Sequence, residues 1–109
     1  MMDETKLQTA IMGLIMYGGD AKCNAIEAIT AAKQGDFEKA HEKLTEAEKS
    51  LVKAHHSQTE LLTNEAQGEK TDFSLLLVHS QDHLMTSITF NDLAKEFVCL
   101  YERLDQHAD

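Results

Sequence analysis

The chain has 109 residues, 42% hydrophobic and only 6% aromatic, with no proline, five glycines and a formal net charge of −9. That length gives one domain, residues 1–109, which hides roughly 60 to 65% of its unfolded surface when it folds alone, so the core is modest. The acidic balance argues against sequence-independent nucleic-acid binding, which depends on Lys and Arg neutralising phosphates; no basic patch is visible, and the charge runs −1, −3 and −5 over residues 1–35, 36–70 and 71–109.

The N-terminus, MMDETKLQTAIMG, carries acid where a secretory signal needs positive charge, and its apolar run is broken by Gly13, Gly18, Gly19 and Asp20. No segment approaches the roughly 18 continuous apolar residues of a membrane span. A cytoplasmic protein is expected. Abundant Ala and Leu, with nothing to interrupt a helix, predict an all-α fold.

The first predicted helix runs from Glu4 to Gln34. Leu7, Ile11, Leu14, Gly18, Ala21, Ala25, Ala28 and Ala32 recur at steps of three and four, the stripe of an amphipathic helix. Its middle is small, and Gly18, Ala21 and Ala25 leave room for close approach of a neighbouring helix or a ligand. Gly35 followed by Asp36 reads as a stop and a new N-cap. Cys23 on this helix and Cys99 near the far end of the chain lie within apolar helical patterns and lack CxxC spacing, so both are expected to be buried free thiols in a reducing compartment.

A second helix from Phe37 repeats the pattern at Ala40, Leu44, Ala47, Leu51, Ala54, Gln58 and Leu61. The charges Glu42, Lys43, Glu46, Lys49 and Lys53 lie mostly off this stripe and predict a solvated face with pairs such as Glu46 and Lys49. Gln58 breaks the apolar rule. A polar group there needs a partner, and Gln58 and His55 are expected to face the trio His79, Asp82 and His83 on the third helix.

The segment Gln67–Asp72 is the second loop, with Thr71 or Asp72 capping a third helix that runs to about Leu104. Each helix of roughly 30 residues is about 45 Å long. Three such rods make a thin bundle with much apolar surface uncovered, for which self-association is the natural remedy.

On helix three, Phe90, Leu93, Phe97, Leu100 and Leu104 form an apolar stripe. Extended backwards by the same steps it passes through Thr86, Asp82, His79 and Leu75. The sequence LLLVHSQDHLM therefore sets His79, Asp82 and His83 inward or into an interface. A buried carboxylate must be paired, protonated or bound to a metal, and three chemistries compete for the trio. His79 and His83 have the i,i+4 spacing of helical zinc ligands, but Ser80 stands where HExxH carries its general base. A di-iron bundle needs Glu-x-x-His on two helices, and only Glu38 with His41 fits. Nucleophilic catalysis by an imidazole is the third.

HSQDHLM after an apolar run is preceded on helix two by AHHSQT (54–59) and NEAQGE (64–69), and on helix one by GGDAK (18–22). In that order and spacing, over nearly the whole chain, the sequence resembles enzyme IIA of the lactose/cellobiose class of the bacterial phosphoenolpyruvate-dependent sugar phosphotransferase system. The resemblance implies an antiparallel three-helix protomer assembled into a nine-helix homotrimer. It implies a phosphoryl carrier that accepts phosphate from HPr on His79 and passes it to a cysteine of the cognate IIB component, for uptake of a β-linked disaccharide. It also places Asp82 at the trimer axis, sharing a magnesium ion with its two symmetry mates. Ser80, where glycine or alanine is commoner in the family, and Cys23, where a polar residue is usual, are the departures. Gln81, Gln58 and His83 are the expected phosphate-holding neighbours. A non-catalytic helical adaptor, with the trio as a polar plug, and a metal-binding bundle are the competing readings.

Overall fold

A computed structural model of the chain describes residues 3–108; Met1, Met2 and Asp109 of the expected domain fall outside the described residues. Three helices, α1 (Glu4–Lys33), α2 (Phe37–Ala66) and α3 (Leu75–Gln106), account for nearly all of it, with no strand among the described residues. Each begins where the local chemistry satisfies its free amides. Asp3 accepts from Thr5 N at 2.8 Å, Asp36 from Lys39 N at 3.2 Å, and Ser74 from Leu77 N at 3.1 Å. The α1–α2 turn is the one expected, with Gly35 at φ 81° and Asp36 as the cap. The start of α3 is not: the cap is Ser74, two to three residues beyond Thr71 and Asp72, because Ser74 is the extended residue whose hydroxyl reaches an amide of the first turn.

The register can be followed through paired contacts. Gly13 faces Ser57, Asp20 bonds Ser50, and Glu27 pairs with Lys43, so seven residues forward on α1 match seven backward on α2. That step is two helical turns and marks antiparallel helices lying nearly along one another. Gln58 with Gln81 and Glu48 with Asn91 run the same way between α2 and α3. Gly18 against His83 and Ser87 sets α3 parallel to α1. The bundle measures 62 × 21 × 18 Å, and its radius of gyration of 17.0 Å exceeds the roughly 13 Å of a compact chain this long. No helix among the described residues is long and apolar enough to cross a membrane.

Small side chains fill the core. Ala21, Ala25, Ala28, Ala40, Ala47, Ala54 and Ala94 are wholly buried, with Leu14, Leu84 and Val98 the largest apolar residues among them. The stripes expected on α1 and α2 are the buried ones, with Leu7, Leu44 and Gln58 half-buried. Glu46 pairs with Lys49 at 3.3 Å as expected. Lys43 does more than coat a solvated face: it reaches Glu27 at 2.7 Å, and that carboxylate raises the Lys43 pKa above its ordinary value.

The stripe on α3 is rotated from expectation. Its buried side is Ser80, Leu84, Ser87, Asn91, Ala94 and Val98, whereas Leu93, Phe97, Leu100 and Leu104 are 45–58% exposed. The reason lies opposite: an α1 face of glycine and alanine draws α3 so close that only small residues, or polar ones with local partners, fit between. Ser80 donates to Leu77 O at 2.7 Å and Ser87 to His83 O at 2.6 Å, so these hydroxyls are satisfied within their own helix. Asn91 donates to Glu48 at 3.2 Å. Leu93, Phe97, Leu100 and Leu104 are left outside, whereas Phe90 of the expected stripe is half-buried against the core. Cys99 is exposed next to buried Val98, and Cys23 also points outward between buried Ala21 and Ala25; neither thiol is buried as expected.

Candidate functional site

The first turns of α3 carry the site. Ser74 fixes the start of the helix, Ser80 and Leu84 anchor its inner face, and the intervening residues are distributed around it. His79 and Asp82 fall on the exposed side and His83, one turn beyond His79, is half-buried. Within the protomer the trio therefore does not point inward. The backward extension of the outer apolar stripe does reach it, and it lies on the same uncovered face as Val78 and Met85.

The rings of His79 and His83 are stacked, with centroids 6.0 Å apart and planes inclined by 20°. His83 rests on α1 where that helix has no side chains. A Cβ on Gly18 would stand 3.3 Å from His83 Cδ2, and one on Gly19 would stand 3.3 Å from His83 Nε2. The small middle of α1 thus receives the second imidazole of the pair. From α2, Gln58 donates its Nε2 hydrogen to Gln81 Oε1 at 2.9 Å, the cross-helix partner its position demanded. His55 faces α3 farther along, in a groove of about 310 Å³ with Ile88, Asn91 and Asp92, and does not join the trio.

Between α2 and the start of α3 runs a groove of about 370 Å³, lined by Leu61, Leu62, Phe73, Leu77, Val78 and Gln81 together with Glu65 and Thr71, with neither His79 nor His83 in its wall. Phe73 is 88% exposed. Sequence reasoning passed over this wall, although an aromatic residue in an otherwise polar loop is a usable signal. It also missed Asn91, whose Nδ2 is bonded to Glu48 while its buried Oδ1 has no partner among the described residues.

Chemically, the arrangement offers an imidazole open to solvent, stacked on a second, half-buried one, with the Gln58–Gln81 amides and the apolar groove on the α2 side of the same helix. Among the described residues of one protomer, no three His, Cys, Asp or Glu side chains are grouped to hold a metal. Asp82 can supply one carboxylate from the uncovered face.

The three-helix bundle with a histidine pair at its surface places the chain in a known class of small helical protein. The chain belongs to the lactose/cellobiose-specific IIA family of the phosphotransferase system: the family model described as "PTS system, Lactose/Cellobiose specific IIA subunit" matches residues 9–102. It is 50% identical, over 93% of its length and 92% of the relative's, to the lichenan-specific phosphotransferase enzyme IIA component of Bacillus subtilis. It superposes on the crystal structure of the cellobiose-specific enzyme IIA from Bacillus anthracis with a TM-score of 0.92 at 44% identity, covering 99% of this chain and 97% of that one. A solution structure of the chitobiose IIA in complex with HPr, from the Escherichia coli phosphotransferase system, matches with a TM-score of 0.79 at 40% identity, over 91% and 96% of the two chains.

Proposed function

We propose that this IIA component is a cytoplasmic phosphoryl carrier in which His79 takes phosphate from phospho-HPr and yields it to a cysteine of the cognate IIB component, in the uptake of a β-linked disaccharide. The observation that carries the reading is the exposure of His79 beside a stacked, half-buried His83. Two different proteins must reach the same atom in turn, and a solvent-facing imidazole permits that. In the first step a neutral imidazole nitrogen of His79 attacks phosphorus, and an N–P bond forms as the bond to the donor breaks. In the second a thiolate of IIB attacks the same phosphorus, an S–P bond forms, and the imidazole leaves. Such transfers rest mainly on positioning and charge stabilisation. His83, stacked on His79, is offered as the holder of the phosphoryl oxygens, and the Gln58–Gln81 pair, which faces α2, as a support for the start of α3. The relative bound to HPr supports the donor.

Trimer assembly belongs to the same reading. The outer face of α3 exposes a continuous apolar stripe, and three copies meeting along it would bring three Asp82 carboxylates together. Like charges so placed repel one another and oppose assembly. Oxygen ligands suit a hard divalent cation such as Mg²⁺, which, bound there, would neutralise that repulsion. One protomer contributes a single ligand, so the site exists only between copies.

The test is direct. With phosphoenolpyruvate, enzyme I and HPr, the protein should acquire an acid-labile, base-stable phosphate. His79→Ala should abolish labelling with helicity intact, and His83→Ala should slow it. Labelling that survived in His79→Ala and vanished in His83→Ala would reverse the assignment.

A further inference from the structure

Two consecutive glycines in the middle of a 30-residue helix are costly, because glycine gives up more backbone freedom than any other residue when it becomes helical. Gly18 and Gly19 occupy the centre of α1, and neither has a left-handed φ that would require glycine. What requires them is across the interface. A Cβ on Gly18 would meet His83 Cδ2 and Ser87 Oγ, each at 3.3 Å, and a Cβ on Gly19 would meet His83 Nε2 at 3.3 Å and nothing else within 4 Å. Such separations are closer than ordinary van der Waals contact, so the ring would have to move away from α1. Its other surroundings include the His79 ring, stacked at 6.0 Å. Among the described residues no hydrogen bond holds the His83 ring nitrogens; Thr86 and Ser87 bond only its backbone carbonyl. Packing against α1 therefore sets where this imidazole sits.

We infer that Gly19 is a positioning residue for phosphoryl transfer, acting through His83: its missing side chain seats the His83 ring against α1 at the depth where it braces His79 and the phosphate. Gly18 serves the same seat but also touches Ser87, which makes Gly19 the cleaner probe. The inference rests on His79 as the acceptor. Its chemistry is steric. An added methyl displaces Nε2 outward, away from where it can contact a phosphoryl oxygen, and misplacing a supporting group by a fraction of an ångström slows a reaction that depends on geometry.

Four full-length proteins test it: wild type, Gly19→Ala, His83→Ala and the double variant. Each is assayed for the rate of phosphoryl transfer from phospho-HPr, for the HPr concentration dependence, for thermal unfolding, and for the His83 ring-proton resonances by NMR. Alanine favours a helix interior over glycine, so Gly19→Ala should unfold at the same temperature or higher while its maximal transfer rate falls roughly tenfold at unchanged half-saturating HPr. In the His83→Ala background the same change should alter the rate less than about twofold, since sites that act through one another are not additive. Wild-type transfer rates in Gly19→Ala, or an equal loss with and without His83, would overturn the proposal. Should the wild type accept no phosphate, the acceptor reading fails by itself. The His83 resonances then decide the seating: a shift in Gly19→Ala upholds it, and unmoved resonances refute it.

Discussion

Replacing Phe97 with alanine tests whether the outer face of α3 is an assembly surface. Phe97 is 45% exposed in the protomer and lies between Leu93 and Leu100, which are 52% and 51% exposed. A phenylalanine has roughly 200 Å² to bury, so about 90 Å² is left for a partner. At about 25 cal/mol per Å² that is about 2 kcal/mol for each copy and about 7 kcal/mol for three. With about 1.4 kcal/mol for each factor of ten, the trimer association constant should fall by about five orders of magnitude. Because that constant is third order in protomer, the concentration of half-dissociation rises as its square root, by a few hundredfold. Sedimentation equilibrium over nanomolar to high micromolar concentrations measures the midpoint directly. The protomer itself should keep its helicity, since alanine is the better helix former. A wild type that stays monomeric throughout, or a variant whose midpoint coincides with that of the wild type, would refute the reasoning.

Asp82→Leu should preserve or tighten the trimer and make it indifferent to EDTA, because swapping grouped charges for apolar contact is often neutral or stabilising; the wild type should loosen on chelation at neutral pH. A wild-type trimer unmoved by EDTA, together with a monomeric variant, would remove the shared cation. Leu84 is wholly buried beneath the histidine pair, so Leu84→Ala should cost about 2 to 5 kcal/mol in denaturant unfolding, and a loss under 1 kcal/mol would mean a looser core than described. Gln58→Leu leaves Gln81 without its cross-helix donor. Stability should fall by about 0.5 to 1.5 kcal/mol and phosphoryl transfer should slow several-fold, with an unchanged rate removing the pair from the site.

How much was legible in the sequence differs by helix. On α1 and α2 the three-four spacing named the buried face correctly, because the core there is made of the very apolar residues the pattern follows. On α3 the same rule picked the outer face. Its inner side is Ser80, Ser87 and Asn91, hydroxyls and an amide whose partners are a carbonyl one turn back or a carboxylate on another helix. Hydropathy records such residues as solvent-facing, while Leu93, Phe97, Leu100 and Leu104, which look like core, stand on the outer face. Gln58 was readable for the opposite reason: one polar residue in an apolar stripe asks for a partner, and Gln81 provides it. The seat for His83 was half legible. Small residues at 18, 21 and 25 announce close approach, but which side chain enters depends on the register of α3, and that is a property of three helices together. The cysteines were misjudged because an apolar neighbourhood in sequence does not say which side of its helix a thiol occupies: Cys23 lies outward between buried Ala21 and Ala25 on α1, and Cys99 is exposed next to buried Val98 on α3.

The seven-residue register between α1 and α2 bears on the order in which the chain folds. These helices are joined by a three-residue turn, and their pairings form a ladder that can close from the turn outward with little loop entropy. α3 joins through a longer loop and shares its least extensive seam with α2. The αα-hairpin is therefore the cooperative unit that forms first, and the helix bearing the histidines docks last and opens first. Native-state hydrogen exchange should show α3 amides exchanging through a partial opening of lower free energy than the one that exposes α1 and α2. Equal protection of all three helices would show the protomer to be a single cooperative unit. In the expected case the histidine-bearing helix is the most readily released part of the protomer, and a second chain gripping α3 would serve both as its missing wall and as the clamp on its least secure helix.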